Sequence, residues 1–386
     1  MTDDRDAHKN NWYRDWQLKS RIIRRLFEQL VGFRIGLALI IAYVFILLVS
    51  WVEHLIQGQT ICIGQDSFLE CFGRELLSII VVENIESFSI SAAAVLYLLE
   101  TRERKQKAIY EAWQVIDLAA SSGIPTSPAR LKALEDLNEH GVRLDGLCLS
   151  NTNLKTINLA HSSLKETKLV EANLSQAKLK EANFEGANLQ AINLERANLT
   201  EANLQKVNLK DANLEGANLT KADLREANLE GANLKNALLR EAKLTQANLE
   251  QANLAEAELH GATLRGTSLS HSVLENADLS NANLAQADLR QSNCKGAHFK
   301  YSNLAGATLG GANLREAQLQ YSSLEGAILI RANLRDANLQ GANLRNADLR
   351  LAWKIDINQI KSALHYTEAQ YSTDFQATLE DNFSTQ

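Results

Sequence analysis

Leucine recurs at every fifth position from Leu144 to Leu349 without one insertion or deletion. The register holds 42 central positions, 39 of them Leu; the exceptions are Phe184, Cys294 and Phe299. Two residues earlier the chain prefers Ala, as at Ala172, Ala182, Ala212 and Ala342. One residue earlier it prefers Asn or Asp, as at Asn173, Asn213, Asp223 and Asp348. Bulk in the alanine column gathers at the start, with Val142, Leu147 and Ile157. On an α-helix, steps of five advance about 140° each and would scatter the leucines around the cylinder. In a flat strand an odd period throws successive leucines to opposite faces. A stacked coil whose sides are one pentapeptide long avoids both failures, because every Leu and its Ala then point inward. Asn and Asp tolerate turn conformations and hydrogen-bond their own backbone, which suits a chain that bends every few residues.

The units Ala212-Asn213-Leu214-Glu215-Gly216 and Ala342-Asn343-Leu344-Arg345-Asn346 resemble the pentapeptide-repeat family, with its A-(D/N)-L-x-x unit. The resemblance implies an all-β solenoid, a right-handed quadrilateral β-helix with four units per coil, over residues 142–351. Ten and a half such coils would make a rod roughly 50 Å long at the ~4.8 Å spacing of stacked strands. No Pro interrupts the repeat, as a coil that needs its N–H groups requires.

The N-terminal third has another composition. Ile35 to Val52 is an 18-residue run without a charge, flanked by Arg34 and Glu53. With residues 31–33 it is long enough for a ~30 Å bilayer core, so 31–52 is expected as a first transmembrane helix. A second apolar stretch, 76–99, is interrupted by Glu83, Asn84 and Glu86 and is expected as the second. A buried core helix is the alternative for either. Arg14, Lys19, Arg21, Arg24 and Arg25 precede the first span, and Arg102, Arg104, Lys105 and Lys107 follow the second. Between them the trans-side loop, 53–75, holds only Arg74. The positive-inside rule then places both termini and the rod in the cytoplasm of an integral membrane protein, in a plasma or thylakoid-type membrane. Residues 1–30 include a basic amphipathic segment that either lies on the inner leaflet or continues the first span.

Residues 100–141 read as a helical linker and N-cap. Ser127, Pro128 and Gly141 bound a short helix there, and its Leu131, Leu134 and Leu137 could plug the first coil. Residues 352–386 abandon the period and form the C-terminal cap and tail, with Ile357, Ile360, Leu364 and Tyr366 as the expected plug. The segments Glu83 to Ser89, Tyr110 to Asp117 and Ala133 to Asn138 are similar to those of cyanobacterial membrane-anchored pentapeptide-repeat proteins.

No Ser-His-Asp set, carboxylate pair or phosphate loop stands out, and the four cysteines lack metal-ligand spacing. No catalytic, cofactor or metal residue is therefore assigned. Glu83 and Glu86 sit three apart on one helix face, either as intramembrane polar groups or at an interface. Cys62 and Cys71 share the trans-side loop, as a disulfide or as two free thiols. Stacking at twenty residues would align Lys295, Arg315 and Arg335 in a basic ladder, with Tyr301 and Tyr321 on the next face. The alternatives there are a partner surface and solvated decoration.

The repeat carries 23 Lys/Arg and 23 Asp/Glu. Some members of the resembled family mimic duplex DNA and bind gyrase, which needs a strongly acidic rod; a neutral one argues against it and against a nucleic-acid partner. An oligomeric channel or transporter-associated subunit would have to use Glu83 and Glu86. The favoured expectation is a non-enzymatic, membrane-tethered scaffold whose rod meets a cytoplasmic or membrane protein, with a homo-oligomer open.

Overall fold

The computed structural model describes residues 36, 38–45, 48, 52, 85–121 and 125–384. The chain divides into two compact units, Met1–Ala108 and Ile109–Gln386.

The second unit is built on the pentapeptide. Single-residue parallel bridges run unbroken from Cys148–Lys168 to Asn333–Trp353, each joining residues 20 apart. Four pentapeptides therefore close one coil. All 42 central side chains are buried, Phe184, Cys294 and Phe299 among them. The alanine column packs beside them, and it also takes Ile192 and Val207, so bulk is not confined to the start. Where Ser replaces Ala, its hydroxyl donates to the carbonyl of the preceding central residue, as Ser302 does to Phe299 at 2.7 Å. The buried hydroxyl is thereby satisfied.

The unit Ala172 to Gln176 shows why the coil holds. The Ala172 N–H donates across the turn to Leu169 O (3.1 Å), and the Asn173 N–H to Thr152 O in the preceding coil (2.9 Å). Those of Leu174 and Gln176 donate forward to Asn193 O (2.7 Å) and Glu195 O (2.8 Å). The fifth, on Ser175, has no backbone acceptor; it donates to the Asn173 side-chain Oδ1 at 3.0 Å. Four of every five donors find carbonyls, and the Asn supplies the acceptor for the last.

The Asn hydrogen-bonds its own backbone as expected, but it does not take the turn conformation expected of it. The left-handed residue of each turn is not the Asn but the residue two beyond the central Leu, and all 42 of these have positive φ. Eleven are glycine; the others include Glu171 at 56°, Lys206 at 56° and Tyr301 at 61°. A left-handed L-residue costs roughly 1–2 kcal/mol. The coil imposes it because that residue's N–H and the inward Leu are both fixed by neighbouring coils.

Helix α1 spans Ile85–Ser121 and α2 spans Pro128–Glu139. Ser127 caps α2 by accepting from the Arg130 N–H at 3.2 Å, with Pro128 opening the helix and Gly141 at φ +69° beyond its end. Leu134 and Leu137 are fully buried at the first coil, joined by Ala112 and Ile116 of α1. The cap also closes the open ladder. Pro125 O accepts from the Asn153 N–H and Glu135 Oε1 from the Asn158 N–H, both at 2.9 Å.

At the other end the chain leaves its period but keeps its ladder. Helix α3, Ile357–Lys361, is inserted into a further coil whose bridges Asn343–Leu364 and Asp348–Gln370 span more than twenty residues. Ile360 is fully buried, and Ile357 and Tyr366 pack against the core. Leu364, expected as part of the plug, is exposed because it holds an outward bridge position. Helix α4, Thr373–Ser384, buries Leu379 instead.

Among the described residues no helix is long and apolar enough to cross a membrane. The uncharged part of α1, Ser87 to Leu99, has 13 residues. At 1.5 Å each that is roughly 20 Å, short of a ~30 Å bilayer core. The described residues therefore do not carry the two-span hairpin expected from sequence. The rest of the 76–99 span, most of 31–52, and Cys62, Cys71 and Glu83 lie outside them. Glu86 falls in the first turn of α1.

Candidate interaction surface

Each coil presents three outward residues per side: the Asn-type bridge residue and the two that follow the Leu. Stacking at twenty residues turns each into a column. In the column of Asn193, Asn213, Asn233 and Asn253, the amide Nδ2 of each of the last three donates to the Oδ1 of the coil before, at 3.2–3.3 Å. The left-handed residues lean the opposite way, over the next coil. A methyl group placed on Gly341 would meet the Tyr321 ring at 2.5 Å.

The basic ladder exists, but it is largely neutralised. Lys295, Arg315 and Arg335 share one column, each beside an acid. Lys295 pairs with Glu275 at 3.3 Å, Arg315 with Glu316 at 2.7 Å and Arg335 with Asp336 at 3.2 Å. These side chains are about 40% exposed or more, so each pair contributes little to stability. What they change is the field: the column is a row of dipoles, not a strip of bare cations. The Arg315 Nε is buried without a hydrogen-bond partner.

Tyr301 and Tyr321 stack with ring centroids 5.3 Å apart and 11° between planes. Lys300 Nζ lies 5.2 Å from the Tyr301 centroid, and Gly341 lies beneath Tyr321. The pair is about half exposed. A full side of the coil separates the tyrosine corner from the basic column, and it carries His298, Gln318 and Asn338. The structure thus brings the cations together and the tyrosines together, but as two separate columns with a side of the coil between them. From Tyr301 to Leu314 the chain carries no charge at all.

Sequence reasoning missed a second arrangement, the Asp-Leu-Arg unit. At Asp288 and Asp348 the carboxylate takes over the Asn role, accepting from the N–H of Arg290 at 3.0 Å and of Arg350 at 3.1 Å. The same guanidinium then donates to the second oxygen, at 2.6 Å from Arg290 and 2.7 Å from Arg350. These bonds hold both carboxyls below the usual aspartate range. The signal was readable as Asp followed two residues later by Arg. Cys294 stands in a central position; burial pushes its thiol up to about 12. Among the described residues no group of three or more His, Cys, Asp or Glu is placed to hold a metal ion.

No curated protein matches the chain. Solved structures similar to it include HetL, a pentapeptide repeat protein involved in heterocyst differentiation regulation from the cyanobacterium Nostoc sp. strain PCC 7120. It is 36% identical over 54% of this chain and 87% of that one, with TM-score 0.24. Rfr23, from the cyanobacterium Cyanothece 51142, is 36% identical over 23% of this chain and 58% of that one, TM-score 0.18. QnrB1, a plasmid-mediated fluoroquinolone resistance protein, is 13% identical over 62% of this chain and 97% of that one, TM-score 0.24. Eight copies of the pentapeptide-repeat model match, together covering residues 140–270 and 277–350, more than half the sequence. With that coverage and a ladder that closes every twenty residues, the chain belongs to the pentapeptide-repeat family.

Proposed function

We propose that this chain is a non-enzymatic interaction rod, tethered to a membrane by its N-terminal segment, with the rod in the cytoplasm. Pentapeptide-repeat proteins are generally structural or interaction proteins. The observation that carries the interaction reading is how the repeat uses its side chains. Inward residues are consumed by the core and the Asn column by the ladder, so partner chemistry falls to the outward columns. Those columns present a stacked aromatic pair at Tyr301 and Tyr321 with Lys300 beside it, a composition that suits a protein contact.

The tether reading rests on the charge asymmetry of the N-terminal flanks and on an inside-out pattern. In helical residues 38–45, the small Ala38 and Ala42 are buried while Leu39, Ile40, Ile41, Val44 and Phe45 are exposed. Large apolar side chains turned outward on a helix, with small residues buried, suit lipid rather than water.

Native membranes treated with alkaline carbonate should retain the chain, and protease added to cytoplasm-exposed vesicles should digest the rod. Release of intact protein by carbonate would sink the tether. For the interaction reading, all five of Lys295, Tyr301, Arg315, Tyr321 and Arg335 are replaced by Ala and crosslinked partners are identified. A partner should be lost, with little dependence on salt because each cation already has an acid beside it. An unchanged partner set places the interaction elsewhere.

A further inference from the structure

Large, exposed apolar residues enter three outward columns of the rod at one place. Ile328 is the sole large aliphatic among the bridge residues of its column, which elsewhere holds Asn, Ser, Thr, Asp, Lys and Cys. Leu351 is the one large apolar residue in its left-handed column, one coil beyond Arg331. Trp353 ends the asparagine ladder, bridging Asn333 where the pattern calls for another Asn. All three face water, at 40%, 56% and 50% exposure. They lie around a single corner of the last coils, since Ile328 precedes that corner, Arg331 and Leu351 occupy it, and Trp353 follows it.

Two cations complete the cluster. Arg331 and Lys354 have no ion-pair partner among the described residues, unlike the ladder cations. The nearby acids are engaged: Asp336 by Arg335 and Asp348 by Arg350, while Asp356 is the N-cap of α3. The corner of a quadrilateral coil is convex. A protruding Trp with aliphatics and unneutralised cations, on a convex edge, has the make-up of an interfacial membrane contact. The indole sits at headgroup depth, the aliphatics reach the acyl boundary, and the cations meet lipid phosphates.

We propose that this corner of the rod, Ile328, Arg331, Leu351, Trp353 and Lys354, is a peripheral docking site for an anionic lipid surface. It is independent of the N-terminal tether: a chain held by one weak contact is held reversibly, and a second contact of this kind adds to the first.

Trp353 reports on the site by difference, because the chain has five tryptophans. The full chain and its Trp353→Phe variant are mixed with phosphatidylcholine vesicles, with or without phosphatidylserine, and with or without brominated acyl chains. The difference between the two emissions belongs to Trp353. Bromine should quench it in vesicles containing phosphatidylserine. The quenching should fall severalfold without that lipid, and also in the Arg331→Glu/Lys354→Glu variant, whose circular dichroism should match the parent because both side chains face water. Difference emission that bromine leaves untouched, with Trp353 still open to aqueous acrylamide, overturns the proposal and assigns the corner to a protein partner. Quenching indifferent to phosphatidylserine and to the charge reversals overturns it as well. Carbonate-resistant flotation reports the tether separately, so either reading can fail without the other.

Discussion

Replacing Asn233 with Ala removes three hydrogen bonds of the ladder at once, besides one to Glu215 Oε2 at 3.3 Å. The Asn233 Oδ1 accepts from the Lys235 N–H and from Asn253 Nδ2, and its own Nδ2 donates to Asn213 Oδ1, all at 3.2 Å. Each net bond is worth about 1 kcal/mol, but these groups are part-buried and partly recover water, so about 1.5–2.5 kcal/mol is expected in total. Asn233→Asp keeps the acceptor for Lys235 and Asn253 and loses the donor; Asp already serves this way at Asp288 and Asp348. It should cost less, although it brings a second carboxylate toward Glu215, whose Oε2 now accepts from Asn233 Nδ2 at 3.3 Å. A long rod does not unfold as one unit, so a global melt averages the effect away. Amide hydrogen exchange localises it. The Lys235 amide should lose roughly tenfold protection in the Ala variant and keep most of it in the Asp variant. Equal protection in wild type, Ala and Asp would refute the idea that the side chain is this amide's acceptor.

Four further outcomes follow from the same geometry. Leu214→Asp places a carboxylate among stacked leucines and should cost several kcal/mol, while Glu215→Lys on the outside should shift stability by roughly 0.5 kcal/mol; indistinguishable melts would reverse the inward and outward assignment. Gly341→Ala is strained by its φ of +67° and by the Tyr321 ring, so it should cost less in a Tyr321→Ala background; an equal cost in both backgrounds rejects the contact. Iodoacetamide should label exposed Cys148 in the native rod but reach Cys294 only after unfolding, since its thiol is buried and its pKa raised to about 12. Asp348 has a depressed folded pKa, so its contribution is present above the ordinary value of 3.8 and lost as pH falls through the lower folded one; Asp348→Asn should flatten the acid limb of the stability curve below about pH 4, and an unaltered limb would discount the Arg350 bond.

The sequence by itself determined the rod. A period of five over 42 units states which side chains share a core, because each unit meets only its neighbours twenty residues away and every coil repeats the last. The same reasoning placed the α2 cap, whose signals are local: Ser127, Pro128 and Gly141. Tertiary structure alone decided what each polar column does. Backbone sign is not written in residue type when 31 non-glycine residues take the left-handed turn because adjacent coils hold their N–H groups there. Nor could spacing show that the Lys295, Arg315 and Arg335 ladder is neutralised, since the pairing acids come from the same coil in two cases and from the coil before in the third. The last coil was illegible for the same reason. Its bridges reach Leu364 and Gln370 across an inserted helix, and an offset of that kind follows from which edge of the ladder remains open, not from any pattern along the chain.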